Sequence, residues 1–313
     1  MTRALVFVLC FTPGCALLDA LAGEGAKGPA QTPEDTGDEG EGAGEGEGEG
    51  EVACEDGAQL AARAIAVGFD RSCALRCDGE ITCWGAGSLA PPAGPYVDVT
   101  VGQRFACGRR ADGTVACFGE QGISLPESYS AVSAGQGFAC GLDETASLQC
   151  DGDMSYPSFT LPAGQFSTLA AGWAYVCAER LDSGALVCGG TFSAPQPPAA
   201  DLREVRVGAD FACGLDAGGE IACFNADGTL AGPAGAFSEL GVGDGTACAV
   251  SSADASLTCW TETDEGAAIL EGTPVGRFSS VAVATGHACA VRENHTVVCW
   301  GSDYLGRTAV PPP

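Results

Sequence analysis

Positive charge is nearly absent from this sequence. Lysine occurs once, at Lys27, and 14 Lys+Arg stand against 41 Asp+Glu, a formal net charge of −27 over 313 residues. So acidic a chain is repelled by phosphate backbones and anionic membrane surfaces, which excludes nucleic acid as a partner. Histidine is almost as scarce: His287 and His295 are the only two, thin material for metal or acid–base chemistry. Four Trp, five Tyr and 13 Phe are few for this length, so the core must lean on Val, Ile, Leu, Ala and half-cystine. The leading apolar run, Ala4 to Phe11, is too short to span a bilayer. No nucleophile-elbow, metalloprotease, phosphate-loop or calcium-hand pattern occurs, so no catalytic, cofactor-binding or metal-binding residue is assigned. What the chain does have is 18 Cys, 47 Gly and 17 Pro. That cysteine density is ordinary for an oxidising compartment and high for a reducing one.

The N-terminus reads as an export signal over residues 1–22. Arg3 precedes the apolar run, and two cleavage sites compete. Thr12-Pro13-Gly14-Cys15 resembles a lipobox that would leave Cys15 lipidated; Ala20-Leu21-Ala22 is a small-x-small site for free secretion. Residues 23–56 then turn to a Gly/Glu-rich run with 12 acidic residues and one Lys. Self-repelling charge with so little apolar surface cannot fold, so this stretch reads as a disordered, extended acidic linker. The expected location is the outer membrane or cell surface for a lipoprotein, or the exterior for a secreted protein. Contact with a membrane would come only through the lipid.

Residues 57–313 are organised by a repeat. Cysteines fall in pairs at 73/83, 107/117, 140/150, 177/188, 213/223, 248/259 and 289/299. Five residues before the first Cys stands Gly68, Gly102, Gly135, Gly172, Gly208 or Gly243, with Ala284 in the seventh unit. Between the two Cys lies a turn signal such as Asp78-Gly79 or Asp112-Gly113. An alternating run precedes the Gly, Tyr96 to Val101 being the clearest. Each unit is therefore three short strands followed by a Pro-containing connection. Seven such units predict an all-β fold, a seven-bladed β-propeller.

The hairpin accounts for the cysteine spacing. A turn centred near Asp78 sets Cys73 opposite Cys83, within disulfide reach. The same geometry predicts Cys107–Cys117, Cys140–Cys150, Cys177–Cys188, Cys213–Cys223, Cys248–Cys259 and Cys289–Cys299. Zinc is the rival reading, but no pair has the close C-x-x-C spacing of a structural site. Parity then pairs the remaining Cys54 with Cys77, because Cys10 and Cys15 belong to the leader.

The unit running from Gly68 through Cys73-Ala74-Leu75, Asp78-Gly79, Ile81 and Cys83-Trp84-Gly85 resembles the repeat of the regulator of chromosome condensation family. The last unit, Gly286-His287-Ala288-Cys289 to Cys299-Trp300-Gly301, resembles it further. The resemblance covers about 250 residues and implies the family's seven-bladed propeller. It does not carry the nuclear founding member's nucleotide exchange or chromatin contact to an exported, acidic chain with shorter blades. The compact blades are more similar to secreted propeller-type β-lactamase inhibitors, which cover an enzyme's active-site mouth.

Surface is what remains for function. The loop between each Gly and the first Cys recurs seven times on one face, and its variable residues form the expected binding face. These are Asp70, Arg71, Gln103, Arg104, Gln136, Trp173, Asp210, Asp244 and His287. The aromatics two before Cys (Phe105, Phe138, Tyr175, Phe211) are expected to pack between blades instead. The sequence reading is thus a monomeric, non-enzymatic module that recognises an extracytoplasmic protein or glycan. Inhibition of a secreted enzyme, and a hydrolase or lyase using carboxylates near the propeller axis, are the alternatives.

Overall fold

The computed structural model describes residues 59–313, apart from 88, 156–159, 192–193, 199–201 and 262–265. The expected leader (1–22), the linker (23–56), the lipidation site Cys15 and the half-cystine Cys54 lie outside the described residues.

Seven antiparallel sheets follow one another along the chain. In the first blade Ala62–Val67 pairs with Arg71–Arg76, which pairs with Ile81–Gly85. The fifth blade adds a fourth, outermost strand at Gly228–Leu230. The first strands of successive blades touch one another in order, and the seventh, Phe278–Ala284, returns to the first. The sheets therefore close radially, with each blade's first strand innermost.

Glycine is required at the end of six of the seven inner strands, Ala284 standing in the seventh. A Cβ on Gly68 would meet the carbonyl oxygen of Gly102 at 2.3 Å, and one on Gly208 would meet that of Gly243 at 1.7 Å. The same approach links Gly102 to Gly135, Gly135 to Gly172, Gly172 to Gly208 and Gly243 to Ala284. These residues form a ring round the axis, and at the six glycines the inner strands can converge only without a side chain. This is the ring end of the propeller; the hairpin turns lie at the opposite, turn end.

Side chains between blades supply the core. Six residues before six of the ring positions stands Tyr96, Tyr129, Phe166, Leu202, Phe237 or Phe278, with Ala62 there in the first blade, and all seven are buried. The residues two before the first Cys, Phe105, Phe138, Tyr175 and Phe211 among them, are buried too. Each fully buried aromatic contributes roughly 2–3 kcal/mol of apolar transfer energy. Three of the outer aromatics carry an arginine over the ring: Arg110 on Tyr96, Arg180 on Phe166 and Arg292 on Phe278. In each case the guanidinium also donates to a backbone carbonyl, of Ala93, Ala163 and Val275 respectively. One local device thus recurs at the turn end of three blades.

Seven disulfides join the seven cysteine pairs, each bridging directly opposed residues of the second and third strands with Cα atoms 4.0 Å apart. Cys77 is disulfide-bonded as well.

Two sets of contacts close the ring between blades seven and one. At the turn end, the Ala62 N–H donates to the His295 carbonyl and the Val297 N–H to that of Leu60. At the ring end, the C-terminal segment is held by its Arg307 carbonyl, which accepts from Trp84 Nε1 at 2.9 Å and Ser72 Oγ at 3.1 Å. The Arg307 guanidinium is buried and donates to the carbonyls of Phe69 and Ser302.

Candidate functional site

The ring end is a set of seven short loops on a fixed backbone. Loops of adjacent blades are bonded to each other: the Gln103 N–H donates to the Gln136 carbonyl at 3.0 Å, and the Gln136 N–H to that of Trp173 at 3.3 Å. The Trp173 N–H donates in turn to the Gly208 carbonyl at 3.4 Å. Rigid backbone with varying side chains is the arrangement of a recognition surface.

Of the residues expected on this surface, Trp173 is 41% exposed, and Arg104 and Asp210 are also exposed. Asp70, Gln103, Gln136 and Asp244 are half-buried at its rim. Arg71 and His287 do not belong to it. Arg71 is 3% exposed and pairs through Nε with Asp70 Oδ1 at 2.9 Å. It occupies the position two before Cys where other blades place an aromatic, and that position points into the inter-blade core. His287 occupies the same position in the seventh blade and is fully buried. Its Nε2 lies 3.1 Å from Ser72 Oγ. The same Ser72 Oγ lies 3.1 Å from the Arg307 carbonyl oxygen, so the hydroxyl links the imidazole to the C-terminal segment. Burial, assisted by the Arg307 charge, pushes the His287 pKa down to about 3. The imidazole is therefore neutral, a structural link in the closure.

Sequence reasoning named further residues exposed at the ring end only in part. Phe69 is 41% exposed beside Asp70, and Tyr304 and Leu305 project from the C-terminal segment. The carboxylates of Asp153 and Asp303 also lie here, each accepting from a nearby hydroxyl, that of Ser155 and of Thr308. Those bonds hold both acids below the ordinary carboxylate range.

A second group lies toward the turn end of the axis and was missed. Asp98, Glu204 and Glu239 each stand four residues before a ring glycine, on inner strands of blades two, five and six. Arg206 stands two before Gly208. Glu204 Oε1 is 3.0 Å from Arg206 Nη2, and Glu239 lies close enough for the two carboxyls and the guanidinium to act on one another electrostatically. Burial raises both pKa values, and for Glu239 the Glu204 charge adds to it. Burial also raises Asp98, against the opposing charges of Arg109 and of Arg206 in blade five. The signal that could have found this group is the shared offset from the ring glycine.

His295 and the Asn294-His295-Thr296 sequence form the last hairpin turn. Asn294 Oδ1 accepts from the Thr296 N–H and hydroxyl, as Asp112 does with Thr114 in blade two. Among the described residues, no group of three or more His, Cys, Asp or Glu is arranged to hold a metal ion.

Comparison with known proteins agrees with the architecture. Residues 62–89, most of the first blade, match the family model described as the regulator of chromosome condensation (RCC1) repeat. No curated protein sequence matches the chain. Among solved structures, the CRINKLY WD40 ectodomain of the Arabidopsis thaliana receptor kinase ACR4 is similar at 21% identity and a TM-score of 0.65, covering 81% of this chain and 100% of that one. The ectodomain of the Physcomitrella patens receptor kinase CR4 is similar at 21% identity and a TM-score of 0.65, covering 78% of this chain and 74% of that one. Yeast RCC1 (Prp20), in a structure bound to Kap60, is similar at 14% identity and a TM-score of 0.51, covering 80% and 72%. The chain is thus a seven-bladed propeller whose first blade matches the RCC1 repeat, and these identities speak to fold alone.

Proposed function

We propose that this protein is an exported, non-enzymatic binding module that recognises a protein or glycan through the ring end of its propeller. The observation that carries the reading is the contrast within the ring-end loops. The loop backbones of blades two to five are bonded in series, while the outward residues, from Asp70 through Arg104 and Trp173 to Asp210, follow no repeat. Packing explains the repeated positions and leaves the varied ones for recognition. Seven disulfides are the mark of an oxidising compartment. Similar propellers serve as receptor-kinase ectodomains and as the RCC1 bound by Kap60. Residues 1–22 would direct export, Cys15 would carry a lipid, and residues 23–56 would act as the spacer lifting the propeller from a membrane. A Cys54–Cys77 bridge would tie that spacer to the turn end, leaving the ring end to face outward. Blocking the mouth of a secreted enzyme is one form such recognition would take.

The test is cross-linking of the full chain to envelope and extracellular material, with the photoreactive group placed at Gln103 or at Glu144 in a hairpin turn. Specific adducts from Gln103 support the reading; adducts from Glu144 alone refute it.

The Glu204–Glu239 pair favours a second reading, an exported hydrolase or lyase. A carboxyl that keeps its proton near neutrality is a general-acid candidate. Turnover of glycoside or uronide substrates that is lost in Glu239→Gln would establish it. Against it stands the Arg206 contact, which gives the pair a role in joining blades five and six.

A further inference from the structure

The ring end combines exposed aromatic surface with carboxylates, and its one exposed arginine among the described residues, Arg104, lies in blade two and pairs with Glu120. Trp173 stands 41% exposed between loops that present acids on either side. On one side its carbonyl accepts from Gln136, next to Gly137, whose carbonyl accepts from the Asp153 N–H. On the other its N–H donates to Gly208, two residues before Asp210. Hydrogen bonds from Ser155 keep Asp153 ionised, and the Asp210 charge is felt by the buried Tyr175 phenol beneath it. Phe69, Tyr304 and Leu305 form a separate exposed apolar group at the joint of blades one and seven, across the ring from blade four. The three arginines at this end are all engaged: Arg71 with Asp70, Arg104 with Glu120, and Arg307 with backbone carbonyls.

We propose that the ring end docks a protein segment that presents an arginine or lysine to Trp173, between the carboxylates of Asp153 and Asp210. This rests on the binding-module reading and specifies its partner. Charge complementarity selects the occupant. An aromatic face attracts a guanidinium or ammonium through its quadrupole, and flanking carboxylates attract the same group. An acidic or phosphorylated partner is repelled by the same surface. A neutral glycan would use the aromatics but gain nothing from the carboxylates. The hairpin turns at the opposite end carry acids too, but the exposed aromatic Trp173 stands at the ring end.

Titration of the full-length protein with short synthetic peptides tests this. The peptides share one Leu/Ser framework and differ only in carrying arginine, glutamine or glutamate. The arginine peptide is expected to bind best, with affinity falling as salt rises. Trp173→Ala and the double variant Asp153→Asn/Asp210→Asn should each weaken it by roughly tenfold. Glu144→Gln/Glu220→Gln, in hairpin turns at the other end, should leave it unchanged. Unchanged melting temperatures establish that all variants are folded. If the glutamine peptide binds as well as the arginine peptide, and Trp173→Ala still weakens it, the cationic partner is overturned while the ring-end reading survives. If the turn-end variant alone weakens binding, or no peptide preference exists, the proposal fails.

Discussion

Protonation is settled differently at two buried sites, and the two limit stability from opposite sides. His287 has its pKa pushed down to about 3 by burial. The unfolded chain therefore binds more protons than the folded one between pH 6.5 and pH 3. Its contribution is complete above the unfolded value and is lost as pH falls, by at most roughly 5 kcal/mol. Glu239 has its pKa pushed up to about 8. Here the folded state holds the extra proton, so its contribution is complete below the unfolded carboxylate value and is lost as pH rises through 8. Thermal melts across pH should therefore fall off on both sides of a plateau between pH 4.5 and 6.5. Glu239→Gln should flatten the alkaline limb, and His287→Gln should reduce the acid limb at the expense of a weaker closure. An alkaline limb identical in Glu239→Gln would contradict a proton held on Glu239 in the folded state. Neither site was legible from sequence. His287 sits in the same loop as solvent-facing residues, and only the register of the middle strand turns it inward. Glu204 and Glu239 read as ordinary polar positions of alternating strands, because nothing local reveals that inner strands of different blades meet.

At the scale of the element, the hairpin and the ring glycine carry the fold, and both were legible. The cysteine spacing of 10 or 11 residues places the partners directly opposite across a turn, a purely local relation. Replacing Cys140 and Cys150 together by Ser should lower stability by at most about 2.5–3 kcal/mol, because the loop closed is short and the hairpin already favours the closed form. Urea denaturation measures it, and a total loss of folding would show that the staples do more than shorten the unfolded chain. The ring glycine is more demanding. Gly208→Ala drives a methyl into the Gly243 carbonyl and should destabilise by more than about 2 kcal/mol or prevent folding. Ala284→Gly, at the position that already tolerates a methyl, should lose only about 0.5–1 kcal/mol through backbone entropy. Glycine was visible in the sequence as a repeated letter; its reason, a carbonyl from the next blade, required the closed ring.

Over the whole molecule, the ring closes by contacts between its two ends rather than by a shared sheet, since every strand of blade seven comes from one continuous segment. The C-terminal segment therefore bears on the stability of blade one. Trp84→Phe removes the indole donor to the Arg307 carbonyl and should lower stability by about 1–2 kcal/mol. Hydrogen exchange should then rise first at the joint of blades one and seven. The count of blades was legible because each is a complete local unit. The functional face was legible only as a set of loops, from which packing withdrew Arg71 and His287 and to which it added Phe69, Asp153 and Tyr304. The central claim is that recognition occurs at the ring end. Its most direct test is affinity for the cross-linked partner, once identified, measured on wild type, on Trp173→Ala/Asp210→Asn and on Glu144→Gln/Glu220→Gln. The account predicts that the first variant weakens binding by tenfold or more, in the range of an interface hot spot, and that the second binds as wild type does. Equal binding by all three proteins, or loss confined to the turn-end variant, would contradict it.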